Sequence, residues 1–170
     1  MRKEDEPIFK ALMPAQLMGL CIEREAGGEP RAGKIGVGTI ILERVDHRDW
    51  DGKTIHEVIL KRWQFSWTMP EPDKRAKTYY EESVNIAKHF DDMVAYSSRR
   101  SLLECYEIAK GLLSGEIQRD PEIAAAHCCE YVAADYRKFM DAHPEKKCNR
   151  WWQKMKLLKT VGNHEFYVLK

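Results

Sequence analysis

The chain has 170 residues, with 28 Lys and Arg against 27 Asp and Glu and a formal net charge of +1. That length suits one catalytic domain over residues 1–170, since a chain of roughly 150 residues buries about two-thirds of its unfolded surface without needing staples. The near-zero charge gives no argument for nucleic acid, and no apolar run is long enough to span a bilayer, so neither a nucleic-acid partner nor membrane insertion is expected.

Residues 1–11 open with a charged lead and read as loose. No apolar leader follows Met1, so the expectation is synthesis in the cytoplasm without a signal peptide. Pro14 suits the first turn of a helix, where its missing N–H costs nothing. Leu17, Leu20 or Cys21, and Arg24 then follow at helical spacing, predicting a helix from Pro14 to Ala26 that ends at Gly27 and Gly28. A second helix follows Pro30, carrying Ile35, Val37, Ile40, Ile41 and Val45. Its glycines, Gly33, Gly36 and Gly38, are poor helix formers and imply close packing against a neighbouring helix. Thr54 caps a short helix with Glu57 at the capping-box position.

Arg62 to Pro70 mixes Trp63, Phe65 and Trp67 with Gln64 and Ser66, a composition that suits either a sugar-binding wall or a loop pinned by buried aromatics. Asp73 to Lys88 reads as polar, irregular and then helical. Ser101 to Leu113 is an amphipathic helix ended by Gly115. Ala124 to Val132 is ambiguous between strand and helix. Leu157–Val161 and His164–Leu169 flank Gly162-Asn163 as a β-hairpin would, although Asn-Gly is the preferred order at a tight turn. The whole reads as α+β, mostly helical, with a small β element near the C-terminus.

The stretch Glu23-Arg24-Glu25-Ala26-Gly27-Gly28-Glu29-Pro30 draws the search for chemistry. Carboxylates at the C-terminal end of a helix meet the negative end of its dipole, and a raised carboxyl pKa is what a general acid needs. A solvated acidic turn is the plain alternative. Glu23 and Glu25 are two apart, so they face different sides of the helix. No secure second carboxylate is identified to serve as nucleophile or base.

Other chemistries find less support. His127, Cys128, Cys129, Cys148 and His164 are the metal candidates, but their spacing is not that of a zinc site, and neither metal nor cofactor is expected. A cysteine–histidine pair of His127 with Cys128 or Cys129 finds little support: adjacent residues on a strand, such as His127 and Cys128, point to opposite faces, and no distant histidine carries a supporting signature. The five cysteines show no CxxC, and Cys21 and Cys105 fall at apolar helix positions, so no disulfide framework is expected. Six basic residues from Lys146 to Lys159 suit either an anionic polymer such as a wall glycan or a solubilising face.

Four blocks, in order, resemble the SleB-type cell-wall hydrolases, the family of spore cortex-lytic enzymes and related phage endolysins. Glu25-Ala26-Gly27-Gly28-Glu29-Pro30 resembles the family's E-A-x-G-E-P. Gly33 to Val45 resembles its G-x-x-A-V-x-x-V-x-L-N-R-V, with Glu43 where the family usually has asparagine. Thr54 to Ile59 with Gln64-Phe65-Ser66, and then the helix around Ala109 with Gly115, continue the pattern. Ala126-His127, Trp151-Trp152 and Gly162-Asn163-His164-Glu165-Phe166-Tyr167 complete it, the last resembling G-x-H-x-F-Y. The segments 71–100 and 135–147 look like insertions.

The resemblance implies a lysozyme-like, lytic-transglycosylase-like fold with a small β lobe. It implies cleavage of the N-acetylmuramic acid to N-acetylglucosamine bond of peptidoglycan by one essential glutamate, matched by Glu25. Gln64, Ser66, Trp67, His127, His164 and Glu29 are the expected substrate-binding residues, with Trp67 stacking on a sugar. His164 has the alternative of a buried structural histidine near the turn. The expected partner is a peptidoglycan glycan strand, met by a monomer at the cell wall, with holin-mediated release as the route for an endolysin. A non-enzymatic module that binds a wall glycan or a protein partner is the competing reading.

Overall fold

A computed structural model of the chain describes residues 1–48, 51–70, 74–96, 100–128 and 130–170. Its element order is α1 (Glu6–Ala11), α2 (Pro14–Ala26), α3 (Arg31–His47), α4 (Ile55–Leu60), a 3-10 turn (Ser66–Thr68), α5 (Lys74–Lys88), α6 (Phe90–Tyr96), α7 (Arg100–Ser114), α8 (Pro121–Ala125), β1 (Glu130–Ala133), α9 (Ala134–Ala142), a second 3-10 turn (Trp151–Lys154), β2 (Met155–Val161) and β3 (His164–Leu169). No helix among the described residues is long and apolar enough to cross a membrane.

Helix α2 is the centre of the helical lobe. It packs against α3, α4, α5 and α7, and Leu17, Met18, Leu20, Cys21 and Ile22 are all fully buried. A helix that is apolar on nearly every side belongs inside. The crossing with α7 is close: a Cβ on Gly19 would lie 2.8 Å from the Tyr106 Cα. Of the α3 glycines, Gly38 packs against Leu112 of a neighbouring helix as expected, whereas Gly36 meets Phe166 of the closing strand most closely. Thr54 caps α4 by accepting from the Glu57 N–H at 3.2 Å, while the Glu57 carboxylate turns back to the Lys53 N–H at 2.7 Å.

The small sheet has the order β1-β3-β2, antiparallel throughout. The β2–β3 hairpin turns on Gly162-Asn163, with Gly162 at φ 57°. Glycine at the first position of a two-residue turn is the type II′ arrangement, so Gly-Asn is a correct order here. Side chains alternate along the strands. Tyr131, His164 and Phe166 occupy one face, in mutual ring contact at 5.2–6.3 Å. On the other, Glu165 and Tyr167 meet Arg137 and Trp151.

The structure corrects one stretch of the sequence reading and details two others. Residues 1–11 are not a loose lead: α1 buries Phe9 against Trp67 and Tyr80, and Tyr80 donates its hydroxyl to Asp5 at 2.8 Å. The ambiguous stretch at 124–132 is split, with α8 ending at Ala125 and β1 beginning at Glu130. Asp120 caps α8 by accepting from the Glu122 and Ile123 N–H groups. The segment read as an insertion after Asp135 folds largely as α9, whose Met140 joins Val132, Trp152 and Tyr167 in a separate apolar cluster.

Candidate active site

Glu25 sits in the last turn of α2, its side chain half-buried between the two lobes' elements. The Tyr131 hydroxyl, from β1, donates to its Oε2 at 2.8 Å. Burial pushes the Glu25 carboxyl above the ordinary glutamate range, and the Tyr131 bond and the Arg44 charge only partly oppose it. The cause is therefore desolvation by both lobes. Burial beside the Glu25 charge also drives the Tyr131 phenol well above its usual range, keeping it a donor.

The neighbouring carboxylates are committed elsewhere. Glu23 pairs with the buried Arg24 at 3.3 Å, whose guanidinium lies 4.5 Å from the centre of the Tyr79 ring. The helix-face argument thus separates Glu23 from Glu25 as the sequence implied. Glu29 accepts the Asn163 N–H at 2.8 Å, holding the hairpin turn against the α2–α3 connection. It is a strut between the lobes, and its position against Gly162 leaves no space for a Cβ there. Gly27 takes an ordinary helical φ of −57°, and its carbonyl accepts from Ser101 Oγ at 2.8 Å.

The expected binding residues scatter. Trp67 is 1% exposed and lies edge-on to Phe9 in the core, so it offers no face to a sugar. Its neighbour Trp63 is 71% exposed, with a left-handed φ of 73° and Arg62 over its ring at 4.8 Å. Trp63 borders a concavity of about 460 Å³ with Met1, Leu60, Met69 and Pro70, and Glu25 is not part of it. Gln64 is turned inward, donating to the buried Asp51 at 2.8 Å, and braces its own loop. Ser66 is exposed at the start of the 3-10 turn.

His164 is 4% exposed, so the structural alternative describes it rather than a glycan-facing wall. Its ring packs edge-on to Tyr131 and bonds to the Glu25 backbone carbonyl, while Nδ1 has no partner among the described residues. Burial holds it below the ordinary histidine range. It therefore fixes the relative position of Glu25 and Tyr131. His127 does not join Glu25: its partners are Glu43 and His47. Cys128 is fully buried, its thiol directed to the Tyr167 carbonyl at 3.0 Å and its pKa raised by burial, which leaves it inert as a nucleophile. Cys129 lies outside the described residues.

Sequence reasoning missed Tyr131. No local pattern marks it, because it reaches Glu25 across 106 residues of chain; only the Tyr131–Phe166 register of β1 on β3 sets its face.

Comparison with known proteins adds the following. The solved structures with this fold include the catalytic domain of the germination-specific lytic transglycosylase SleB from Bacillus anthracis, at a TM-score of 0.53 and 17% identity, covering 91% of this chain and 93% of that one. The catalytic domain of the Bacillus cereus SleB protein matches with a TM-score of 0.48 and 19% identity over 91% of this chain and 88% of that one. No curated protein matches the sequence. The profile of the Cell Wall Hydrolase family matches residues 28–167, beginning just past Glu25 and taking in Glu29, Tyr131 and the closing hairpin. With most of its length inside that profile, the chain belongs to the cell wall hydrolase family.

Proposed function

We propose that the chain cleaves the bond between N-acetylmuramic acid and N-acetylglucosamine in peptidoglycan as a lytic transglycosylase, with Glu25 as its one acid–base group. The observation that carries this is a solitary, partly desolvated carboxyl held by a tyrosine hydroxyl, with Glu23 and Glu29 engaged elsewhere. The described function of the Bacillus anthracis neighbour is in keeping with it.

Protonated Glu25 gives its proton to the glycosidic oxygen as the C1–O4 bond breaks, releasing the N-acetylglucosamine 4-hydroxyl. Its carboxylate then takes the proton of the muramoyl 6-hydroxyl as that oxygen closes on C1. A 1,6-anhydro ring forms, Glu25 is reprotonated, and no water is consumed. Tyr131 stabilises the carboxylate between the two steps, where a hydrogen bond to a charged acceptor is strongest. General acid–base catalysis of this kind contributes about 10²–10⁴-fold. On this reading the enzyme acts at the cell wall as a monomer.

The test is the mass of the products released from purified sacculi. Anhydro-muramoyl ends are expected, and reducing ends heavier by one water would identify a hydrolase instead. Glu25→Gln is expected to bind sacculi and release neither.

A further inference from the structure

Glu43, His47 and His127 converge at the C-terminal end of α3. His47 follows Glu43 by one helical turn, on the same face. His127 arrives from the α8–β1 connection with a left-handed φ of 46°, which a residue with a Cβ seldom adopts. Its Nδ1 is 3.1 Å from Glu43 Oε2, and His47 Nε2 is 3.4 Å from the same oxygen. The imidazole centres are 4.1 Å apart, and the three ligand atoms all lie within 4.8 Å of one another.

Those spacings are those of a coordination sphere. With ligand bonds of about 2.0–2.2 Å in a tetrahedral site, adjacent ligand atoms stand roughly 3.3–3.6 Å apart. Two edges of the triangle are already near that length, and the third closes by side-chain rotation. Glu43 is 2% exposed, and its other oxygen accepts from Arg119 Nη1 at 2.8 Å. That bond orients Oε2 toward the imidazoles, as outer hydrogen bonds do for ligating carboxylates. Arg119 also pairs with Asp46 at 2.7 Å, which offsets its charge beside an incoming cation. Both histidines are exposed, so an ion has access and a further position stays open to water.

We propose that Glu43, His47 and His127 form a binding site for a divalent transition-metal ion, with zinc the best match to two imidazoles and one carboxylate. The sequence reading sought a metal among His127, the cysteines and His164; the fold instead gives His127 two partners from α3. A bound ion ties α3 to the connection leading into β1, the strand that carries Tyr131. The proposal is independent of the reaction assigned to Glu25.

The experiment titrates the chelator-treated full chain with zinc by calorimetry and with cobalt(II) by visible absorption. One ion per chain is expected, with a melting temperature that rises with zinc concentration. The cobalt form is expected to show ligand-field bands without thiolate charge transfer. His47→Gln and His127→Gln, folded by circular dichroism, should each weaken affinity at least about tenfold, and Cys148→Ser should leave it unchanged. Absence of stoichiometric uptake overturns the proposal. So does uptake insensitive to both histidine variants, or a thiolate band in the cobalt form; each would leave the cluster as two histidines hydrogen-bonded to a carboxylate.

Discussion

At Glu25 the raised pKa is made by its surroundings, and its variants report them. Because burial raises the folded-state pKa above the unfolded value, the folded chain holds this proton more tightly. The sign follows: the stability contribution is full below the unfolded value, about 4.3, and is lost as pH rises through the folded value. Glu25→Gln is therefore expected to melt above the parent at neutral pH, with the difference closing toward pH 4, while lytic activity is abolished. Tyr131→Phe removes a hydrogen bond to a charged group, worth about 1.5–3 kcal/mol. Turnover should fall roughly 10- to 100-fold, and the limb of the pH–rate profile that reports Glu25 should move to higher pH. A loss of rate with an unmoved profile would make Tyr131 mere packing. The two loop tryptophans should behave oppositely. Trp67→Ala opens a cavity in the core and should cost about 3–5 kcal/mol in denaturant unfolding. Trp63→Ala should change stability by no more than about 0.5 kcal/mol while lowering affinity for sacculi, the behaviour of an exposed aromatic that stacks on sugar.

At the scale of elements, the helical lobe depends on how closely α2 approaches its neighbours. Gly19 faces the Tyr106 backbone, which cannot yield without parting α2 from α7. Gly38 faces the ends of Leu112 and Ile22, which can rotate away. Gly19→Ala should thus cost about 1–3 kcal/mol by overpacking, and Gly38→Ala distinctly less, because the gain in helix propensity of up to about 1 kcal/mol is common to both and only at Gly38 can the crowded atoms move aside. Paired urea titrations measure the difference. At the hairpin turn, Glu29 is the polar strut to the α2–α3 connection. Glu29→Ala strands the Asn163 N–H, at a cost of about 1–3 kcal/mol, and should lower activity by loosening the sheet that carries Tyr131. Glu29→Gln retains an acceptor and should stay close to the parent, nearer than a direct role in substrate binding would allow.

For the whole molecule, the two faces of the small sheet pull stability in opposite directions with pH. On the face away from Glu25, Arg137 makes two hydrogen bonds to Glu165, and Tyr167 donates to the same carboxylate at 2.8 Å. The Arg137 bond holds Glu165 below the ordinary carboxylate range. Its contribution is present above an unfolded value of about 4.3 and is lost as pH falls through the folded one. Arg137→Ala should cost about 1.5–3 kcal/mol at pH 7 and flatten the acid limb of the melting-temperature profile. A parent and variant with parallel acid limbs would mean that Glu165 is not what fails first in acid.

What the sequence determined by itself was whatever short-range chemistry specifies. Pro14 starts α2, Thr54 and Glu57 fix the start of α4, Gly115 takes the positive φ that ends α7, and Gly162-Asn163 turns the hairpin. The acidic block at the end of α2 also marked Glu25 before any fold was known. Neighbours remote in sequence belonged to the tertiary structure, because hydrophobic pattern fixes which face of an element is buried but not against what. That is why Trp67, expected to face a sugar, lies in the core while Trp63 of the same loop is the exposed aromatic. It is also why Tyr131, 106 residues from Glu25, went unmarked, and why His127 found its partners in Glu43 and His47. The Glu25 carboxyl is raised in pKa through desolvation, a property of two lobes closing on one residue, and no spacing within the chain encodes that closure locally.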